Sequence, residues 1–271
     1  MHSLTIQPGQ VLQTYVRHIE ILENDQERLL LTPLPFYADG CPGLIYQQTD
    51  NGMFMDNGAR KLSAFFVYGQ TVKPVEFLPR GAFRMIIFYF YPHIVKSLYG
   101  LNSSEVTDTC LDLSLIRTPT LMESIHKLQD TQSAVQQVEI ISSYLTRIIL
   151  AGKTKVDATV QYAINHIVKN SGQTRLKELR TWLKVSERTF ERKFEHHVGV
   201  NAKLFARICQ FQSSLSQLHK KDFSKLSDLA YDNGYADQSH FIRSFKELTG
   251  LSPLEFKKQF ATTTEPEEEL V

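Results

Sequence analysis

Cysteine is scarce in this chain of 271 residues: Cys41, Cys110 and Cys209 stand far apart and form no Cys-x-x-Cys pair. Such spacing offers neither a disulfide framework nor a paired-thiolate zinc site. No apolar run of signal-peptide or membrane-spanning length opens the sequence, so the expectation is a reduced, cytoplasmic protein that does not enter a membrane. Motifs that carry chemistry are missing as well. There is no His-x-His, His93 and His126 stand alone, and the adjacent His196 and His197 point different ways on a helix. Neither Gly-x-Ser-x-Gly, a Gly-rich phosphate loop nor a Cys-His signature occurs. Nothing positive speaks for an enzyme, a metal or a cofactor, and none is expected.

Net charge is also nearly absent, at +1, but it is unevenly divided. Residues 1–150 carry 11 Lys and Arg against 14 Asp and Glu, whereas residues 151–260 carry 19 against 11, and four Glu close the chain. A basic segment of this size is what a phosphate-binding surface requires. The length and the 42% hydrophobic content allow a core in each part.

What the basic segment holds is a duplication. Leu176, Leu179, Val185, Phe190, Arg192, Phe194 and Gly199 recur fifty-odd residues on as Leu226, Leu229, Tyr235, Phe241, Arg243, Phe245 and Gly250. Each copy reads as a short helix, a turn and a second helix whose inner face is set by two Phe four apart, with Arg between them pointing outward. That is helix-turn-helix grammar. Ser186 and Asp237 are suited to N-cap the second helices, and Asn233-Gly234 tolerates positive φ in the turn. The outward residues, Arg188, Thr189, Glu191 and Arg192 in the first copy and Gln238, Ser239, Arg243 and Lys246 in the second, are candidates for DNA contact. An α-helix fits the major groove, Arg pairs two ways with guanine, Gln with adenine, and Glu accepts from cytosine. For Glu191 an ion pair within the helix is an equal alternative. A helix from about Asn201 to Leu218 would hold the two units roughly 27 Å apart; Cys209 on it reads as a small core residue.

The segment Leu229-Ala230-Tyr231-Asp232-Asn233-Gly234-Tyr235-Ala236-Asp237-Gln238-Ser239-His240-Phe241-Ile242-Arg243-Ser244-Phe245-Lys246, followed by Thr249-Gly250-Leu251-Ser252-Pro253, resembles the signature of the AraC/XylS transcription regulators. The resemblance covers roughly residues 156–260. It implies two helix-turn-helix units on a long linker helix, double-stranded DNA and RNA polymerase as partners, and Gln238 and Arg243 as leading base contacts. The first copy departs from the pattern. Arg180 stands where Ala is usual, Lys184 where Gly is, and Ala202 where Pro is common; Gln210 and Ser214 replace Arg and Ala in the linker helix. Arg180 is expected to snorkel outward past the recognition helix.

The front of the chain is built differently. Between about Arg28 and Phe90, the runs Leu29–Thr32, Gly43–Tyr46, Ala64–Tyr68 and Met85–Phe90 are separated by Pro and Gly, which suggests strands of a small barrel or sandwich. Pro92 should open a short helix over Ile94–Tyr99, closed by Gly100. Pro35–Ile45, Gly69-Gln70, Pro74, Phe88–His93, Thr107-Asp108 and Leu111-Asp112-Leu113 resemble an N-terminal, cupin-like partner of AraC-type domains, which implies sensing of a ligand or a partner protein. The aromatic residues Tyr37, Tyr46, Phe66, Tyr68, Phe88 and Phe90 read as core. In the alternative, Tyr37, Tyr46, Tyr68 and Phe88 line a barrel mouth for an apolar effector, with Arg84 or Gln70 as polar anchor.

Between the two parts, Thr118-Pro119 should start a helix with Leu121, Met122, Ile125 and Leu128 on one stripe and a capping box from Thr120 to Glu123. A second helix, Ser133 to Leu150, repeats Val135, Val138, Ile141, Tyr144, Leu145 and Ile148. This stripe either packs on the barrel or forms a homodimer seam. The expected organisation is an α+β multidomain chain: a β-rich sensor domain over 1–116, a helical pair over 117–152, a DNA-binding domain over 153–260 and an acidic, disordered tail over 261–271. The expected function is a sequence-specific regulator, more an activator than a repressor, controlled by a small-molecule effector. The alternative is an N-terminal domain that binds a partner protein.

Overall fold

A computed structural model describes residues 1–25, 33–152, 156–220, 223 and 225–261. The expected strand Leu29–Thr32, most of the linker at 152–155 and the acidic tail lie outside the described residues. The N-terminal part is an antiparallel sandwich with ten strands among the described residues: β1 (His2–Ile6), β2 (Val16–Asn24), β3 (Leu34–Phe36), β4 (Gly43–Thr49), β5 (Met53–Met55), β6 (Arg60–Lys61), β7 (Phe65–Tyr68), β8 (Val75–Pro79), β9 (Phe83–Phe90) and β10 (Cys110–Asp112). One sheet runs β1-β2-β9-β4-β7-β10 and the other β3-β8-β5-β6.

The long apolar runs have a simple cause. Side chains alternate across a strand, and both faces of the larger sheet are covered. Ile45, Phe66, Met85 and Ile87 meet Met53, Met55 and Phe77 of the smaller sheet. Their neighbours Leu44, Tyr46, Phe65, Val67, Ile86 and Phe88 point the other way, onto two helices. Those helices are α2 (Pro119–Gln129) and α3 (Ala134–Ala151), after the short α1 (Ile94–Tyr99) that Gly100 closes at φ 70°.

The α2 and α3 stripe therefore belongs to the sheet: Leu121, Leu128, Ile141 and Leu145 are fully buried against it. As a homodimer seam it is unavailable. Met122 and Val135, which the spacing put on the stripe, face solvent at 38% and 60% exposure. The capping box is displaced too. Thr118 Oγ1 accepts the Leu121 N–H at 3.4 Å, and Glu123 pairs with Lys127 and Arg147, each at 2.7 Å.

Seven helices follow among the described residues: α4 (Ala158–Lys169), α5 (Leu176–Trp182), α6 (Glu187–Val198), α7 (Ala202–Lys220), α8 (Leu226–Asp232), α9 (Gln238–Thr249) and α10 (Pro253–Ala261). They form two aromatic cores with α7 common to both. Phe190 and Phe194 pack with Phe205, and Phe241 and Phe245 with Phe211. The sandwich touches both. Ser103 Oγ donates to the His197 carbonyl at 2.8 Å and Thr107 Oγ1 to the Gly199 carbonyl at 2.9 Å. Gln212 Nε2 donates to the Ala38 carbonyl at 2.6 Å, and the Tyr37 and Phe256 rings lie 5.3 Å apart.

Candidate nucleic-acid interface

The helix-turn-helix of the C-terminal unit is α8 and α9. Leu229 and Ala230 bury the inner face of α8, and the turn passes through Asn233 and Gly234, the latter at φ 74°. Asn233 is fully buried; its amide donates to Gln217 Oε1 at 2.9 Å and to the Leu229 carbonyl at 2.8 Å, which pins the turn to the linker helix. Asp237 caps α9 by accepting the His240 N–H at 2.7 Å. Phe245 fixes the roll of α9, packing edge-on against Phe211 at 5.2 Å and Phe256 at 5.4 Å. With that face committed, Gln238, Ser239, Arg243 and Lys246 are all exposed on the other. None of the Gln238, Ser239 and Arg243 side chains is hydrogen-bonded within the described residues, so their donors and acceptors are open to a ligand.

In the first unit Ser186 caps α6, accepting the Thr189 N–H at 3.3 Å. The Phe190 and Phe194 rings stack inward, with Phe194 5.7 Å from Phe205. Arg188 and Arg192 are exposed and unpaired among the described residues. Two other candidates are turned inward. Thr189 is half-buried and tied to Ser186 by a 3.0 Å hydroxyl contact. Glu191 Oε2 accepts the Ala202 N–H at 3.4 Å. It caps the start of the linker helix, where a carboxylate meets the positive helix end; this position fits neither a cytosine contact nor a pair within its own helix. Arg180 does not snorkel out. Its side chain is only 15% exposed and pairs with Glu187 at 3.2 Å.

The six effector candidates do not converge. Tyr46 and Phe88 lie in the core under α2 and α3, with Tyr46 hydroxyl donating to the Leu128 carbonyl at 3.0 Å. Tyr68 lies in the core between the sheets. Tyr37 faces Phe256 of the DNA-binding part, Gln70 is buried and donates to the Gly40 carbonyl at 3.0 Å, and Arg84 pairs at the surface with Glu23. As a single barrel-mouth site the set is incorrect, because alternate positions along a strand face opposite sides of the sheet.

Sequence reasoning left two interfacial groups unread. His93, at the head of α1, is 5% exposed with Nδ1 unpartnered. Burial, reinforced by His197 across the interface, pushes its pKa down to about 4. Asp39 accepts the Cys41 N–H at 2.8 Å, and desolvation raises its pKa to about 7 against the pull of that N–H and of Arg17. Both lay within the N-terminal resemblance, but His197, which acts on His93, is far away in sequence. The thiols of Cys41, Cys110 and Cys209 are pushed up to about 12 by burial, so all three are held protonated.

Comparison with known proteins covers both parts. Residues 180–259 match the family described as a helix-turn-helix domain, and residues 4–112 match a domain of unknown function, DUF6597. An uncharacterized HTH-type transcriptional regulator of Staphylococcus aureus is 23% identical over 180 residues, 65% of this chain and 23% of that protein. Another from the MSSA476 strain is 23% identical over 156 residues, 56% and 20% of the two. The match thus spans less than a quarter of the length of these curated relatives. Among solved structures, an apo ToxT variant of Vibrio cholerae aligns with TM-score 0.48 and 11% identity, over 89% of this chain and 96% of that one. Unsaturated fatty acid bound wild-type ToxT gives 0.46 and 12%, over 97% and 98%. The C-terminal domain of AraT, a response regulator from Geobacillus stearothermophilus, gives 0.36 and 20%, over 43% and 94%. The second unit, with its signature unbroken, lies wholly inside the matched segment, and residues 180–259 form a helix-turn-helix domain of AraC type.

Proposed function

We propose that the chain reads an asymmetric DNA site through two recognition helices, α9 and α6, laid in successive major grooves, and that it activates transcription under control of its N-terminal domain. The observation that carries this reading is the set of exposed, unpartnered Gln238, Arg243, Arg188 and Arg192 on two helices fixed to one linker. Nineteen residues of α7 span about 28 Å at 1.5 Å per residue, close to the roughly 34 Å between successive major grooves on one face of the duplex. Arg243 and Gln238 take the leading base-reading roles. Ser239, Lys246 and the α6 arginines support them, and Thr189 and Glu191 shape the first unit. RNA polymerase and a small-molecule effector complete the partners of this reading. Any homodimer would use a surface other than the α2 and α3 stripe.

Genomic fragment selection with the purified protein at about 0.15 M salt, beside an Arg243→Ala/Gln238→Ala double mutant, tests it. Wild type should enrich a discrete asymmetric site that the double mutant does not. Loss of one bidentate base contact costs about 1–3 kcal/mol at one position. Selection of the same site with unchanged affinity by the double mutant would remove α9 from the groove.

A further inference from the structure

An effector needs a place to bind, and the void between the two sheets is small among the described residues. Between the sheets, bordered by Ile45, Met55, Tyr68 and Phe77, the void is about 20 Å³, room for one water. A much larger space lies outside it, where three remote parts of the chain meet. Arg17, the turn Asp39–Cys41 and Tyr91 form one wall, α4 the second and the middle of α7 the third. This cleft measures about 640 Å³, within the 300–1,000 Å³ typical of small-molecule sites.

Its walls differ in chemistry. The α4 side brings Val168, 51% exposed, while α7 contributes the edge of the buried Phe205 together with Ser213, Ser216, Gln217 and Lys220. At the sandwich end sits Arg17, coupled at a distance to Asp39 but in no direct ion pair among the described residues. The Arg17 guanidinium makes a single hydrogen bond, to Cys41 Sγ at 3.4 Å, a weak acceptor. No carboxylate lies within ion-pair distance of it among the described residues, and Asp39 is turned to the Cys41 N–H. Its other donors, arranged in a planar fork, have no hydrogen-bond partner among the described residues.

We infer that this cleft binds a small amphipathic anion, its carboxylate or phosphate on Arg17, its apolar body against Val168 and Phe205, and its polar edge along α7. Resting on the regulator reading above, this places the signal on the linker helix itself. The occupant would touch the sandwich and α7 at once, midway between the two DNA-reading units, and would change how the sandwich seats on them. Only an anion with different affinity for two such seatings can shift the equilibrium.

Melting of the full chain is followed with phenylpropionate, citrate and ribose phosphate at about 5 mM, a level that reveals even millimolar affinity; the amide of phenylpropionate is the neutral control. The three acids separate a carboxylate with a ring, a polar carboxylate and a phosphate. At least one should raise the midpoint while the amide does not, and Arg17→Gln should weaken that binding by about tenfold or more, the worth of one charge-assisted hydrogen bond. Should a folded Arg17→Gln bind as well as wild type, or should none of the three anions shift the midpoint, the site is refuted. Ser213→Phe, which narrows the cleft from the α7 side, must abolish the shift without touching Arg17. DNA selection by the unliganded protein is scored separately, so a failed cleft and a failed DNA reading give different results.

Discussion

The two helix-turn-helix units share one pattern and solve one turn in two ways. Where α8 leaves its last turn, Gly234 takes φ 74°; at the same point after α5, Lys184 takes φ 55°. A left-handed backbone is free for glycine and costs about 1 kcal/mol or more for a side chain with Cβ. The next difference compounds the first. Ala230 is fully buried, but its counterpart Arg180 fills the same place with a half-buried guanidinium that needs Glu187. The first unit is thus the less self-sufficient of the pair, and it is the one bolted to the sandwich by Ser103 and Thr107 at the C-terminal end of its recognition helix. A repeated sequence gives a repeated backbone; tertiary contacts decide how far one copy can drift.

Removing an anchor ring breaks the comparison most severely. Phe245→Ala and Phe194→Ala should each cost about 3–5 kcal/mol, as large-to-small changes in a packed core do, measured by urea unfolding. Hydrogen exchange should then show the loss confined to the unit that carries the substitution. Equal loosening of both units would show that α7 makes them one cooperative block.

Acid should release the first unit before the second. His93 is held neutral in the folded protein, with its pKa near 4 in place of the usual 6.5. The stability it confers is full above pH 6.5 and drains as pH falls through the window down to 4. By pH 5 the loss should be about 2 kcal/mol. The neighbouring groups sharpen the effect. His197, itself lowered by burial, is surrounded by His196, Lys96 and Lys193, with Asp157 as the opposing charge, so each added proton meets more positive charge than negative. Unfolding midpoints of wild type and His93→Gln between pH 7.5 and 5 test this; parallel pH slopes would rule His93 out.

The smallest change is the most pointed. Lys184→Gly should stabilise the first unit by up to about 1 kcal/mol by relieving the left-handed backbone, and Gly234→Lys should cost the second a similar amount or more. If Lys184→Gly destabilises instead, the lysine side chain makes a contact that outweighs its strain.

How much of this was open to a reader of the sequence follows from where the information sits. Strands β4, β7 and β9 were legible because both their faces are buried and the runs are unbroken. Caps Ser186 and Asp237 were legible because a cap is a local event. The first two strands were not. β1 is an exposed edge on which only Ile6 is partly buried, and β2 hides its alternation behind a register shift between Val16 and His18. At the site, Arg188, Arg192, Gln238 and Arg243 follow from helical phase alone. The roles of Glu191 and Arg17 do not, because Ala202 and the cleft walls come from elsewhere in the chain and only the fold brings them near.

The shared helix α7 has one more consequence. Phe205 and Phe211 face different cores from the same rod, so the two reading heads are keyed to it at fixed phase. One residue inserted between them would advance one head by 1.5 Å and swing it about 100° around the axis. If both heads read DNA as proposed, the separation of their two words is quantised: sequence drift can alter the letters one at a time, but the distance between the words can change only by a jump that throws one head out of the groove.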